Sequence, residues 1–272
     1  MSYFRLCAYL LLLLCPLSAA AELQLSGQLT QGGLVRGQAE PGSKVYFGEQ
    51  RLKLNESGQF IFGFGRDVGA RQSLTLIAPD GLVTTEELQI NQRSYQIQRI
   101  DGISKNMMAP SAEELQRIAG EAKQARQARQ HDSDLPHFTE NFIWPAKGRI
   151  SGVYGSQRIL NGEPRRPHFG IDIAAPTGTP VVAPAGGTVT LAHPGMFFSG
   201  TTLIIDHGHG LSSSFLHLEK ILVSEGETVR QGQQIATIGA TGRVTGPHLD
   251  WRLNWFEHRL DPALLVPAMA QE

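Results

Sequence analysis

The chain has 272 residues, with 24 Lys and Arg against 25 Asp and Glu, 41% hydrophobic residues and two cysteines. A formal charge of -1 excludes a nucleic-acid binder that works through a bulk basic field, and the apolar content excludes wholesale disorder. Thirty glycines and 15 prolines against 7% aromatics point to short strands and tight turns, over a length that allows two modest domains, each with a core.

Residues 1–21 carry Arg5, an apolar run over 6–14 and then Ser18-Ala19-Ala20-Ala21. A positive start, a short apolar centre and small residues before a cut describe a signal peptide, cleaved near Ala21. The run is too short for a membrane span of about 20 residues. The expectation is a periplasmic or otherwise exported protein with no transmembrane segment in its mature chain. Leu14 is bulky where a lipidated Cys15 wants a small neighbour, which argues against a lipid anchor. Both cysteines, Cys7 and Cys15, leave with this segment, and the remainder has a charge of 23 - 25 = -2. Disulfides, thiol catalysis and cysteine zinc sites are then excluded together.

Over 22–100, apolar runs at 44–47, 59–64, 73–78 and 87–90 alternate with turn signals such as Pro41-Gly42, Ser57-Gly58 and Pro79-Asp80-Gly81. This spacing predicts a small Ig-like β-sandwich. No His, Asp or Glu cluster marks it, so it reads as a packing, targeting or binding module. Residues 101–136 form a connector. Within it Ser111 and Glu114 fit a capping box, and Leu115, Ile118, Ala119, Ala122 and Ala125 make a narrow helical stripe. Lys123, Arg126 and Arg129 are expected on its solvated face.

Residues 137–272 return to strands, expected at 188–192, 202–206, 213–217 and 234–238, with no nucleophile elbow and no phosphate loop. Seven of the nine histidines lie from His168 onward. In a domain without cysteine they raise the question of a metal. On a strand, His168, Gly170 and Asp172 share one face, with Phe169, Ile171 and Ile173 opposite. His248 and Asp250 likewise share a face, with Leu249 and Trp251 opposite. His217 ends a third apolar strand pattern. His207-Gly208-His209, in a Gly-rich turn, is expected to be solvent-exposed, His193 to lie in a turn, and His258 on the surface. Arg158, Arg165 and Arg166 flank the first motif in a loop.

The segments HFGIDIAAPTGTPVVAPAGGTV, IIDHGHGLSSSFLHL and EGETVRQGQQIATIGATGRVTGPHLDWRL resemble the lysostaphin/LytM family of zinc metallopeptidases, over roughly 145–262 and in the family's order. The resemblance implies a mainly β chain: an N-terminal small β-sandwich, a helical connector, and a C-terminal antiparallel β metallopeptidase domain. It implies an exported Zn²⁺ endopeptidase that hydrolyses peptide cross-links of peptidoglycan, with stem peptides as substrate, room for envelope protein partners, no nucleic acid. By the family's motifs, His168 and Asp172 are zinc ligands and His217 and His248 are catalytic. The family's last motif is H-x-H, whose second histidine completes the metal site; here that position is Asp250.

If Asp250 ligates, one neutral imidazole and two carboxylates cancel the zinc charge, where the family's set leaves +1, and the ion is a weaker Lewis acid. The alternative is a degenerate domain that binds peptidoglycan or regulates another cell-wall hydrolase. A third reading starts from the likeness of EGETVRQGQQI to biotinyl and lipoyl carrier hairpins. It lacks the lysine such a carrier needs in the turn at 195–200.

Overall fold

The computed structural model describes residues 23–100 and 110–269, so the expected signal peptide and Cys15 lie outside the described residues. Strands β1 (Gln24–Gly27), β2 (Leu34–Gln38), β3 (Lys44–Phe47), β4 (Gln50–Leu52), β5 (Gln59–Gly63), β6 (Arg71–Ile77) and β7 (Val83–Gln89) open the chain. They form two antiparallel sheets, β1-β2-β5 and β4-β3-β6-β7. Phe60 and Phe62 from one sheet and Val45 and Leu74 from the other are fully buried, as period-two alternation requires of facing sheets. The edge strand β7 is mostly exposed and carries Thr84, Thr85, Glu86 and Glu87, polar side chains that discourage pairing with another chain.

Strand β8 (Ile97–Ile100) precedes the helix α1 (Ala112–Arg129). The capping box is present: the Glu114 amide donates to Ser111 Oγ at 3.2 Å, and the Ser111 amide donates to Glu114 Oε2 at 2.7 Å. Only Ala128 of this helix is buried, consistent with the narrow stripe. Three side-chain bonds fasten it to the strands beneath. Arg117 donates to Gly195 O at 2.8 Å, the Phe197 amide donates to Glu121 Oε2 at 2.7 Å, and Thr190 Oγ1 donates to Ala128 O at 2.9 Å.

The remaining strands are β9 (Arg149–Gly152), β10 (Gln157–Leu160), β11 (Glu163–Pro164), β12 (Ile171–Ala174), β13 (Pro180–Val182), β14 (Gly187–Met196), β15 (Gly200–Gly208), β16 (Leu211–Ile221), β17 (Thr228–Val229), β18 (Gln234–Ile238), β19 (His248–Trp255) and β20 (His258–Leu260). Ten of them build one antiparallel sheet whose main path runs β17-β14-β15-β16-β19-β12-β9. Strand β15, GTTLIIDHG, is buried along its whole length because it is central and covered on both faces. The fold is mainly β with antiparallel sheets and, among the described residues, one α-helix. His193 is a strand residue of β14, where a register shift between His193 and Met196 absorbs Pro194-Gly195, so the expected turn is a bulge.

The buried apolar residues of 34–90 and of 138–260 make one continuous cluster. Phe47 packs edge-on to Trp255 at 6.2 Å, Arg36 donates to Phe138 O and Glu140 O at 2.8 Å, and Arg93 pairs with Asp261 at 2.9 Å. Strand β8 also pairs in parallel with β10. The N-terminal sheets thus share a core with the large sheet.

Candidate metal centre

Strands β16, β19 and β12 are consecutive neighbours in the large sheet, and their registers bring the predicted residues together. Asp172 lies directly opposite Asp250, and Ala174 opposite His248. Leu249 and Trp251 are fully buried on the other face of β19, as are Ile171 and Ile173 of β12, so Asp172, His248 and Asp250 must point the opposite way. His168 stands just before β12, and its Nε2 lies 3.1 Å from Asp172 Oδ1 and 3.6 Å from Asp250 Oδ1. His248 Nε2 is 3.9 Å from the same Asp172 oxygen.

His217 enters from β16 by a local irregularity. Its φ is +63°, a left-handed conformation that costs a non-glycine residue about 1 kcal/mol or more. The ladder partners Leu216 with Asp250, while against β15 it shifts register between Phe215, which faces Leu203, and Leu218, which faces Thr201. The His217 amide leaves the ladder and donates to Ser199 O at 2.8 Å. This bulge aims the imidazole at His248, with ring centroids 4.9 Å apart.

The tautomers follow from the partners. His217 Nδ1 meets Thr241 O at 2.9 Å, His248 Nδ1 meets Gly246 O at 2.9 Å, and His168 Nδ1 meets Val153 O at 3.3 Å. A carbonyl only accepts, so each Nδ1 carries the proton and each neutral ring keeps its lone pair on Nε2. Burial lowers the pKa of His217 further and keeps it neutral.

With the His168 ring neutral, two electron-pair donors face one another. His168 Nε2 and Asp172 Oδ1 are buried, and neither has a hydrogen-bond partner despite their 3.1 Å separation. Ligands of tetrahedral zinc, with bonds of about 2.0–2.2 Å, stand about 3.3–3.6 Å apart. The spacing of His168, Asp172 and Asp250, whose ligand atoms all lie within 4.8 Å of one another, fits such a set. The donor chemistry, one imidazole and two carboxylates, also suits zinc. Without a cation, a proton must hold the group together. Burial opposes charge on His168, but the Asp172 and Asp250 carboxylates outweigh it and push its pKa up to about 10.

Arg252 is the residue that reasoning from the sequence missed. Its Nε donates to both oxygens of Asp250 at 3.0 Å and its Nη2 to Oδ2 at 2.5 Å. Burial alone would raise the Asp250 carboxyl, but Arg252 and His168 hold it well below the usual carboxylate range. The signal was available, since residues two apart on a strand share a face and Arg252 follows Asp250 by two. Gly170, on the same face as His168 and Asp172, makes room for the neighbouring strand's carboxylate. A Cβ there would collide with Asp250 Oδ1, so the space admits the Asp250 carboxylate.

Comparison with known proteins bears on this centre directly. Residues 166–262 match the model of Peptidase family M23. The chain carries a peptidase family M23 domain. Among curated relatives, the peptidoglycan DD-endopeptidase ShyA of Vibrio cholerae is 42% identical over 111 residues, 40% of this chain and 25% of that protein. The lipoprotein NlpD/LppB homolog of Pseudomonas aeruginosa is 41% identical over 101 residues, 37% of this chain and 32% of that protein. This chain thus matches only about a quarter to a third of the length of these relatives. A solved structure, a candidate peptidase M23 from Pseudomonas aeruginosa, is 28% identical with a TM-score of 0.69, and the match covers 88% of this chain and 95% of that one. The likeness to that M23 structure therefore extends well beyond the matched domain.

Two histidines of the M23 domain are not where the sequence suggested. His207 and His209 are buried, at 0% and 3% exposure, because the turn between β15 and β16 folds under neighbouring segments. His207 Nδ1 meets Gly186 O at 2.7 Å and its Nε2 meets Ser213 Oγ at 2.8 Å, and burial pushes its pKa down to about 4. His209 stacks on Phe138 at 4.0 Å. Both nitrogens of His207 are spent, so this H-x-H is a packing element. His258 is exposed and stacks on Trp255 at 5.4 Å.

Proposed function

We propose that the protein is an exported zinc endopeptidase that hydrolyses peptide cross-links of bacterial peptidoglycan. The observation that carries this reading is the convergence of His168 Nε2 on Asp172 Oδ1 at 3.1 Å and Asp250 Oδ1 at 3.6 Å, with their ligand atoms clustered on one face of the sheet. Zinc held by His168, Asp172 and Asp250 supplies Lewis acidity toward the scissile carbonyl and lowers the pKa of a water. His217 and His248 keep their lone pairs on Nε2, on the same side of the sheet as the ligands. They take the proton of the attacking water, pass it to the leaving amine and place a donor at the developing oxyanion. Thr241 O and Gly246 O fix both rings in the tautomer this requires. The peptidoglycan substrate and its stem peptides are supported by the relative named as a DD-endopeptidase. Export is supported by the composition of residues 1–21, and no helix of the described residues is long and apolar enough to cross a membrane.

One observation favours a second reading, a domain that binds peptidoglycan or regulates another hydrolase: Arg252 already satisfies both oxygens of Asp250. Metal content and muropeptide release, measured on the wild type, Asp250→Ala and Asp250→His, separate the two. The enzyme reading expects about one zinc per chain and release by the wild type, with both lost in Asp250→Ala. A wild type with neither, and Asp250→His gaining both, would establish the second reading.

A further inference from the structure

Beside the metal group lies a cavity of about 330 Å³ between α1 and the face of β15, β16 and β19. Its lining is unusual in charge. Arg126 and Arg129 come from the helix, Arg166 from the loop before β12, and Arg252 and Arg259 from the sheet. Of the helix residues expected on a solvated face, Lys123 and Arg126 are exposed, while Arg129 is half-buried.

The countercharges are used elsewhere. Glu121 accepts from Arg117 at 2.7 Å and from the Phe197 amide at 2.7 Å, while the exposed Glu257 accepts from Gln130 at 3.1 Å. Arg252 is committed to Asp250, and Arg259 donates to Asn254 Oδ1 at 3.0 Å. Among the described residues, the side chains of Arg126, Arg129 and Arg166 have no hydrogen bond or ion pair; Arg166 only lies over the Phe169 ring at 5.5 Å. Burial first, and then the neighbouring guanidiniums, push Arg129 down to about 10 despite Glu257. The same causes hold Arg259 well below its ordinary value. Gathering unpaired cations in a half-closed space costs stability, and that cost is returned when an anion enters.

We propose that this cavity is a carboxylate-binding subsite that takes an acidic group of the peptide held at the metal centre. The proposal rests on the peptidoglycan reading and deepens it. Guanidinium forks match carboxylates in shape as well as charge. Two residues join the subsite to the centre: Arg252 lines the cavity and grips Asp250, and Ser199 lines it while its carbonyl accepts the His217 amide. Stem peptides carry free carboxylates on their acidic residues and at their C-terminus, the kind of group that a peptide held at the metal centre would extend into the cavity bordered by Arg252 and Ser199.

The test is titration calorimetry on the full chain as purified, with a stem tetrapeptide that has no cross-link to cut. Binding is then read whether or not the protein hydrolyses anything, so failure of the subsite and failure of the hydrolase reading are separable. The free-acid tetrapeptide is expected to bind about tenfold more tightly than the same peptide with its carboxylates amidated. Arg129→Gln abolishes that preference, while Lys123→Gln, with the same charge change on the same helix but outside the cavity lining, retains it. Arg129→Gln also keeps or raises the Tm, because it removes an unpaired half-buried charge. Equal binding of the acid and amide peptides overturns the proposal. So does a preference that survives Arg129→Gln, a lowered Tm in that variant, or inorganic phosphate binding as tightly as the free-acid peptide.

Discussion

The guanidinium of Arg252 closes on the carboxylate of Asp250 from two positions further along β19, with Nε equidistant at 3.0 Å from both oxygens. The pair as a unit carries no net charge. With a divalent ion on His168, Asp172 and Asp250, the two carboxylates bring the sum to zero and Arg252 restores it to +1. That is the charge which two imidazoles and one carboxylate leave. An aspartate in place of the family's second histidine is therefore electrostatically compensated within its own strand.

Replacing Arg252 by Met should destabilise the metal-free protein by about 3 kcal/mol, since it strands a buried carboxylate opposite Asp172. Zinc should recover much of that loss. Thermal melts with and without zinc measure both effects. A metal-free variant that melts with the wild type would show that the pair contributes nothing.

Zinc binding should release a proton from His168. Its pKa of about 10 in the metal-free protein exceeds the ordinary value, so at neutral pH the proton occupies the lone pair the metal needs. Apparent zinc affinity should accordingly rise with pH, by up to about tenfold per unit below pH 10, and then level off. Calorimetry in buffers of different ionisation enthalpy counts the released proton; a count of zero at pH 7 contradicts this assignment.

His217→Ala and His248→Ala should each retain zinc yet lose about 10²–10⁴ in kcat on a cross-linked muropeptide. His168→Ala should lose the metal as well. Metal analysis beside the kinetics distinguishes the two groups, and loss of zinc from the His217 variant would make it a ligand instead of a proton carrier.

Gly170→Ala should act on the ligand set through sterics alone. The new Cβ would meet the Asp250 carboxylate, with Arg252 Cγ and Trp251 O each at 2.7 Å. Forcing these apart should cost about 1–3 kcal/mol and reduce zinc stoichiometry. Gly195→Ala, whose Cβ meets nothing within 4 Å, serves as the neutral comparison. Equal Tm and zinc content in both variants would contradict the argument.

Much of the architecture was legible because it is written in local periodicity. Alternation placed 44–47 and 234–238 at the observed bounds of β3 and β18, and the Ser111/Glu114 signal marked the start of α1. The same alternation set Asp172, His248 and Asp250 opposite apolar residues that had to be buried. His207 and His209 misled because burial in a turn depends on what folds over it, and their cover comes from Leu135, Phe138 and Gly186, distant in sequence.

By itself the sequence determined the strand faces, the helix cap and the residue types available to a metal, since each depends on neighbours a few positions away. Only the tertiary structure decided how these combine. The pairing of β12 with β19 set two carboxylates against each other, and the bulge of β16 against β15 turned His217 toward them. The packing of α1 over the sheet brought the half-buried Arg129 into one cavity with Arg252 and Arg259. Those outcomes depend on register and long-range packing, where the charge of one strand is balanced, or left unbalanced, by an element far along the chain.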